Sequence, residues 1–199
     1  MDFLKSKTRE NLMRAFAGES QARNRYTFAA EAAKAQGQYL LQQVFLYTAA
    51  QEKEHAALFW KQLQECSGST VFVDGGYPVE TSGDLLVQLQ SAVHNETQEA
   101  LDVYPAFARA AEEEGFLRPA ELFRAIARIE QTHADRFSRF AELVQRGELF
   151  RLAEENQSGL WLCLNCGHLH QGPQAPLSCP VCSHEQGFFI RADLTPFRS

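Results

Sequence analysis

The chain carries two Glu-x-x-His steps, Glu52 with His55 and Glu130 with His133, and both are embedded among apolar residues recurring at helical spacing. Residues three apart share a helix face. Each step therefore aims a carboxylate and an imidazole the same way, and Glu130 and His133 lie between Ile126 and Phe137 on an apolar stripe. Further along the same logic, Leu12, Phe16, Glu19, Arg23 and Tyr26 follow alternating steps of four and three, which puts Glu19 on or near the buried face of a first helix. Glu96 and Glu99, again three apart, follow Leu89 and Val93. A buried carboxylate without a counter-charge is strongly disfavoured, so a cluster of them calls for cations.

The spacing makes this a pattern. Glu19 precedes Glu52 by 33 positions and Glu96 precedes Glu130 by 34, so the chain reads as two copies of one metal-binding hairpin. One Glu from each of two helices, with a Glu-x-x-His from each of the other two, is the arrangement that holds a di-iron or di-manganese centre inside a helical bundle. Carboxylates bridge and neutralise two hard cations, and one imidazole per metal adds a nitrogen ligand. Glu99 is a fifth carboxylate. Five of them leave the same small net negative charge on two ferrous ions as on two ferric ions sharing an oxo bridge, which suits a site that must hold the oxidised pair.

The expected helices follow from periodicity and its interruptions. Thr8 to Gln36 lacks proline and forms one long helix stopped at Gly37; the second resumes at Tyr39 and runs toward Ser67. Residues 68–81 are too long for a tight turn and are expected to be a crossover. Thr81 or Ser82 caps a third helix, with Asp84 in its first turn and a kink at Pro105, and Pro119 opens a fourth that ends near Gly147. Fold class is thus mainly α: a four-helix bundle with one long crossover.

Beyond Gly147 the character changes. Residues 1–147 are expected to be the bundle, 148–158 a linker and 159–199 a small domain too short to bury much core unless something staples it. Cys163, Cys166, Cys179 and Cys182 form two Cys-x-x-Cys knuckles, and four thiolates so placed make a tetrahedral site. Spacing alone leaves structural zinc and a one-electron iron both open; a di-iron partner that needs electrons singly favours iron. His168, His170 and His184 are expected to be exposed bystanders, His94 a surface residue, Cys66 a small residue at a helix end, and Glu112 to Glu114 a solvated helix terminus.

Charge and hydropathy exclude other classes. With 25 acidic residues against 19 Lys and Arg, the net charge of -6 argues against a nucleic-acid surface. No apolar run approaches the about 20 residues that cross a bilayer, and the N-terminus lacks the apolar stretch of a signal peptide, so the expected location is cytoplasmic.

The segment from Ala15 to Tyr26, the run Gln51 to Ala56 and the stretch Tyr104 to Arg109, together with the four knuckle cysteines, resemble the rubrerythrin family nearly end to end. That resemblance implies a ferritin-like four-helix bundle followed by a rubredoxin-like four-cysteine domain. It places the bundle ligands at Glu19, Glu52, His55, Glu96, Glu99, Glu130 and His133, and the thiolate iron at the four knuckle cysteines. It implies two non-haem irons, oxo-bridged when oxidised, and reduction of hydrogen peroxide to water in oxidative-stress defence. His55 and Glu99 are implied as the exchanging ligands of one iron, and Tyr26 and Tyr104 as donors to metal carboxylates. Also implied are an NAD(P)H-dependent reductase or rubredoxin as electron donor, and a head-to-tail homodimer. The segment His94 to Glu99 departs from the family in placing its histidine before the first Glu. The rival reading is a ferritin-like protein that oxidises and binds iron, which leaves the four-cysteine tail without a task.

Overall fold

The computed structural model describes residues 1–153 and 158–195, so part of the expected linker, 154–157, lies outside the described residues. Helix α1 (Lys7–Ala35) starts where Ser6 accepts a hydrogen bond from the Arg9 N–H, and stops at Gly37, whose φ of +70° turns the chain directly into α2 (Tyr39–Gln62). This φ is left-handed, which glycine adopts without a Cβ penalty. The connection is too short for anything but an antiparallel hairpin.

A 3-10 turn (Gln64–Cys66) ends the hairpin, and the expected crossover then runs without regular structure to Asp84. It is pinned along α1 by Arg14, which pairs with Asp74 at 2.7 Å, and by Gln21, whose Nε2 donates to the Pro78 carbonyl at 2.6 Å. Helix α3 (Leu85–Gln98) is capped by Asp84 itself, which accepts from the Leu86 and Val87 N–H groups; the cap is neither Thr81 nor Ser82. An aspartate accepts two such donors readily, and its charge complements the helix N-terminus.

The expected kink at Pro105 takes a different form. A single π-helical turn (Glu99–Val103) precedes α4 (Tyr104–Glu113), and the Tyr104 N–H reaches back to the Glu99 carbonyl. Proline's missing N–H thus falls where the α-helical ladder has already been broken. After Gly115, α5 (Leu117–Gln145) runs the length of the bundle with Pro119 in its first turn. Glu114 is not merely solvated. Its carboxylate accepts from the Lys7 and Thr8 N–H groups and from the Thr8 hydroxyl, so the second hairpin caps the first helix of the first.

Two apolar clusters fill the bundle. One contains Tyr26, Phe45, Leu89 and Phe137, the other Leu12, Phe59, Tyr104 and Phe123. Between them lies a layer of buried acid and histidine.

The C-terminal domain is a three-stranded antiparallel sheet, β1 (Gly159–Cys163), β2 (Leu169–Gly172) and β3 (Phe189–Arg191), in the order β2-β1-β3. Its own core is Trp161, Ala175, Phe189 and the buried sulfurs of Cys163 and Cys179. Residues 148–153 make contacts on both sides. Leu149 joins the bundle core, the Leu152 N–H donates to the Pro173 carbonyl, and the Ala175 N–H donates to the Phe150 carbonyl. The domain also docks on the α1–α2 turn, where Tyr39 stacks on Phe188 at 4.0 Å between ring centroids and Ile190 enters the bundle core. None of the described helices is long and apolar enough to cross a membrane.

Candidate metal centre

Four helices of the bundle, α1, α2, α3 and α5, contribute acid or histidine side chains to the polar layer. Glu19 on α1, Glu52 on α2, Glu96 on α3, and Glu130 and His133 on α5 are at most 1% exposed, and His55 on α2 is 4% exposed. Their ligand atoms gather into two groups, Glu19, Glu52, His55 and Glu130, and Glu52, Glu96, Glu130 and His133; within each, the atoms lie no more than 4.8 Å apart. Glu52 and Glu130 belong to both. Two groups that share two carboxylates, each completed by one further Glu and one His, are the arrangement that hairpin duplication requires.

Polar satisfaction tests whether cations fit. Five carboxylate oxygens, one each on Glu19, Glu52 and Glu96 and both of Glu130, are buried without a hydrogen-bond partner, as is His133 Nδ1. Buried polar atoms without partners are rare in native proteins. Here they converge on one space, and His133 Nδ1 lies 2.8, 2.9 and 3.4 Å from oxygens of Glu130, Glu52 and Glu96. His55 presents Nδ1 likewise, 2.9 Å from Glu130 and 3.0 Å from Glu52. Hard cations with nitrogen and oxygen ligands fit this donor set.

The electrostatics of the metal-free layer show the same demand for positive charge. Burial, followed by the neighbouring carboxylates, holds Glu19 well above the usual range, and burial and Glu52 push Glu96 up to about 8. Burial opposes charge on Glu52 as well, yet contact with His133 and His55 holds it down to about 2. For His133, burial favours the neutral ring but is outweighed by Glu130, Glu52 and Glu96, which push it up to about 12; Glu130 and Glu52 raise His55 to about 9 against the same penalty. Protonated imidazoles thus occupy the role that cations would take.

The two tyrosines reach the layer from opposite cores. Tyr26 donates its hydroxyl to Glu96, and Tyr104 donates to Glu19, so each hairpin steadies a carboxylate of the other. Burial and the adjacent carboxylate keep both phenols protonated, Glu96 acting on Tyr26 and Glu19 on Tyr104.

Glu99 joins neither four-residue group. It opens the π turn, half-buried, beside a cavity of about 230 Å³ lined by Arg14, Gln21, Tyr77 and Tyr104 among others. Its carboxyl nevertheless feels the layer, for burial and then Glu96, Glu130 and Glu52 raise it well above the ordinary value. His94 is exposed. Sequence reasoning did not single out Gln51, which contacts His133 from outside the layer, or Arg136, which holds Gln51: His133 Nε2 lies 3.1 Å from Gln51 Oε1, and Arg136 Nη1 donates to the same oxygen at 3.1 Å.

In the small domain the four cysteines form one group with atoms within 4.8 Å, including Cys163 to Cys182 and Cys166 to Cys179 sulfur distances of 3.7 Å. No cysteine among the described residues is in a disulfide. The His184 N–H at the Cys182 sulfur helps hold that thiol down to about 6. His168, His170 and His184 are half-buried, not exposed as expected. The His168 and His184 carbonyls accept from the Cys163 and Cys179 N–H groups, so two of them close the knuckles with their backbones and stay outside the sulfur cluster.

Comparison with known proteins agrees with this geometry. Residues 10–141 match the rubrerythrin family and residues 161–190 match the rubrerythrin rubredoxin-like domain. A rubrerythrin of Clostridium perfringens is 43% identical over 185 residues, covering 92% of this chain and 93% of the relative. Among solved structures, the fully reduced, all-ferrous state of nigerythrin superposes with a TM-score of 0.61 at 30% identity, covering 94% of this chain and 90% of that one. A bacterioferritin of Desulfovibrio desulfuricans shares the fold, with a TM-score of 0.63 at 22% identity over 71% of this chain and 82% of its own.

Proposed function

The chain belongs to the rubrerythrin family, and from that premise we propose that it reduces hydrogen peroxide to water at a di-iron centre in the bundle, with electrons entering singly through an iron held by Cys163, Cys166, Cys179 and Cys182. The observation that carries this reading is the pairing, in one chain, of two buried Glu/His groups that share Glu52 and Glu130 with a cluster of four sulfurs. Iron storage would use the first and leave the second idle. Bound iron would supply both electrons for O–O cleavage together, so that no one-electron oxygen radical need escape.

The protein's own groups set the conditions. Glu52 and Glu130, which belong to both groups, would be shared by two cations, Glu19 with His55 would complete the hold on one, and Glu96 with His133 would complete the hold on the other. Glu99 would serve as the further carboxylate exchanging with His55, and it lines a cavity of about 230 Å³ next to the layer that has room for a molecule as small as peroxide. Tyr26 and Tyr104 hold Glu96 and Glu19 in place by donating to them. Electrons come from an NAD(P)H-dependent reductase or a rubredoxin in the cytoplasm, and a head-to-tail homodimer brings one subunit's four-cysteine site to its partner's bundle. Residues 1–147, 148–158 and 159–199 are the bundle, the connector and the electron-entry domain.

Stopped-flow mixing tests this. The anaerobically reduced, iron-loaded protein should be oxidised rapidly by hydrogen peroxide and slowly by oxygen. Faster reaction with oxygen, with ferric iron accumulating in the protein, would replace peroxide reduction with iron oxidation and storage.

A further inference from the structure

The two imidazoles of the centre are not equivalent, and the difference is written into the repeat. A shift of 78 positions carries Glu52 onto Glu130 and His55 onto His133. The same shift carries Gln51 onto Ile129 and Thr48 onto Ile126, and it relates Leu58 to Arg136. A polar trio beside one histidine is therefore an apolar trio at the corresponding positions beside the other.

In the structure the polar trio is connected. Arg136 Nη1 donates to Gln51 Oε1 at 3.1 Å and to Thr48 Oγ1 at 3.0 Å, and its guanidinium lies 4.9 Å from the centre of the Tyr47 ring. Arginine has no acceptor, so the oxygen of the Gln51 amide is the atom that must face it. That same oxygen lies 3.1 Å from His133 Nε2. Nε2 must then carry a proton and donate, which leaves Nδ1, the atom aimed at Glu52, Glu96 and Glu130, as the lone pair for a cation. For His55, by contrast, no hydrogen-bond partner of Nε2 occurs among the described residues; its contacts are made through Nδ1.

We propose that Gln51, oriented by Arg136, is a positioning residue that locks the tautomer and ring orientation of His133 alone, so that the cation position completed by Glu96 and His133 binds more tightly than the one completed by Glu19 and His55. Groups that orient a ligating imidazole in this way commonly change metal affinity or activity by about 10- to 100-fold when removed. The inference rests on the two-metal reading of the bundle. It adds to it a reason why His55, and not His133, is the imidazole able to let go.

Cobalt(II) titration of the metal-free, full-length protein tests this, because thiolate charge-transfer bands report the four-cysteine site separately from the ligand-field bands of the bundle. The wild type should show two resolved bundle affinities. Gln51→Ile, the residue the repeat itself uses, should weaken the tighter one by about 10- to 100-fold and leave the weaker one in place, while Gln51→Glu, which keeps an acceptor, should restore the split. Ile129→Gln should narrow the split from the other side by giving His55 an acceptor. Unchanged affinities in Gln51→Ile, or an equal loss at both positions that Gln51→Glu fails to reverse, would overturn the positioning role while leaving the two-metal reading intact. A wild-type bundle that takes up fewer than two cobalt ions would overturn both.

Discussion

Residue by residue, the centre is a set of groups whose protonation is displaced by its neighbours, and the displacements give the metal-free protein a definite pH dependence. Glu96, at about 8, His55, at about 9, and His133, at about 12, all keep protons in the folded state that the unfolded chain releases earlier. A group raised in the folded state contributes stability below its unfolded pKa and loses it as pH rises through the folded value. Glu52, at about 2, has the opposite sign and contributes stability above the ordinary carboxylate pKa that is lost as pH falls. The thermal midpoint of the metal-free protein should therefore be highest in mildly acidic solution and fall from about pH 5 through the values of Glu96 and His55 to that of His133 at about 12. In a metal-loaded protein cations would take the place of those protons, and the alkaline fall should be much reduced. Glu99, outside both four-residue groups, calls for a separate test. Glu99→Gln should leave two metals in the bundle and slow peroxide-driven oxidation by about 10- to 100-fold, read by stopped flow; unchanged kinetics would remove that side chain from turnover. The six buried acid and histidine side chains were legible from sequence because each lies in phase with an apolar stripe. Gln51 and Arg136 were not, because a half-buried glutamine and arginine on a helix look like any solvated pair until the repeat is aligned residue by residue.

At the level of elements, the π turn accounts for the unequal spacing of the two hairpins. Tyr26 to Gly37 and Tyr104 to Gly115 both span 11 positions, and Tyr26 to Glu52 and Tyr104 to Glu130 both span 26. The difference lies wholly between the first Glu and the tyrosine, 7 positions from Glu19 to Tyr26 and 8 from Glu96 to Tyr104. One extra residue in a helix is what a π turn absorbs, and it lets Tyr104 reach Glu19 just as Tyr26 reaches Glu96. The spacing of 33 against 34 carried this signal, but proline suggested a kink and masked the insertion. Deleting Leu101, an exposed residue in that turn, should return the segment to α-helical register and turn Tyr104 by about 100° relative to Glu96 and Glu99, so that Tyr104 no longer reaches Glu19 while Glu96 and Glu99 keep their common face. The variant should fold and bind metal with peroxide turnover sharply reduced; full turnover would show the wide turn to be incidental. Helix caps were less legible than helices. Asp84 competes with two hydroxyl residues for the cap of α3, and Glu114 serves α1 from about a hundred residues away, a tertiary contact that no local pattern announces.

Across the molecule, the four-cysteine domain is held to the end of the bundle by close backbone packing. A Cβ built on Gly187 would come within 2.0 Å of the Gly37 carbonyl oxygen, so no side chain larger than hydrogen fits there without separation of the two. Gly187→Ala should undock the domain, seen as a larger radius of gyration in small-angle scattering, while the knuckles still bind metal; an unchanged radius would mean that the docking rests on other contacts. A cavity of about 490 Å³ lies along this junction, with Leu164 and Asn165 of the first knuckle on one wall and Tyr47 and Arg136 of the bundle on the other. Arg136 thus faces the domain on one side and Gln51 on the other. The knuckles and the bundle were each readable from spacing, whereas their docking depends on surface shape. The most direct test of the whole account is anomalous scattering at the iron edge from crystals grown anaerobically with ferrous iron. It should show one iron among the four cysteines and two more in the bundle, about 3.5–4 Å apart and both in contact with Glu52 and Glu130. Iron confined to the cysteines, with the six bundle ligands paired only with one another, would contradict it.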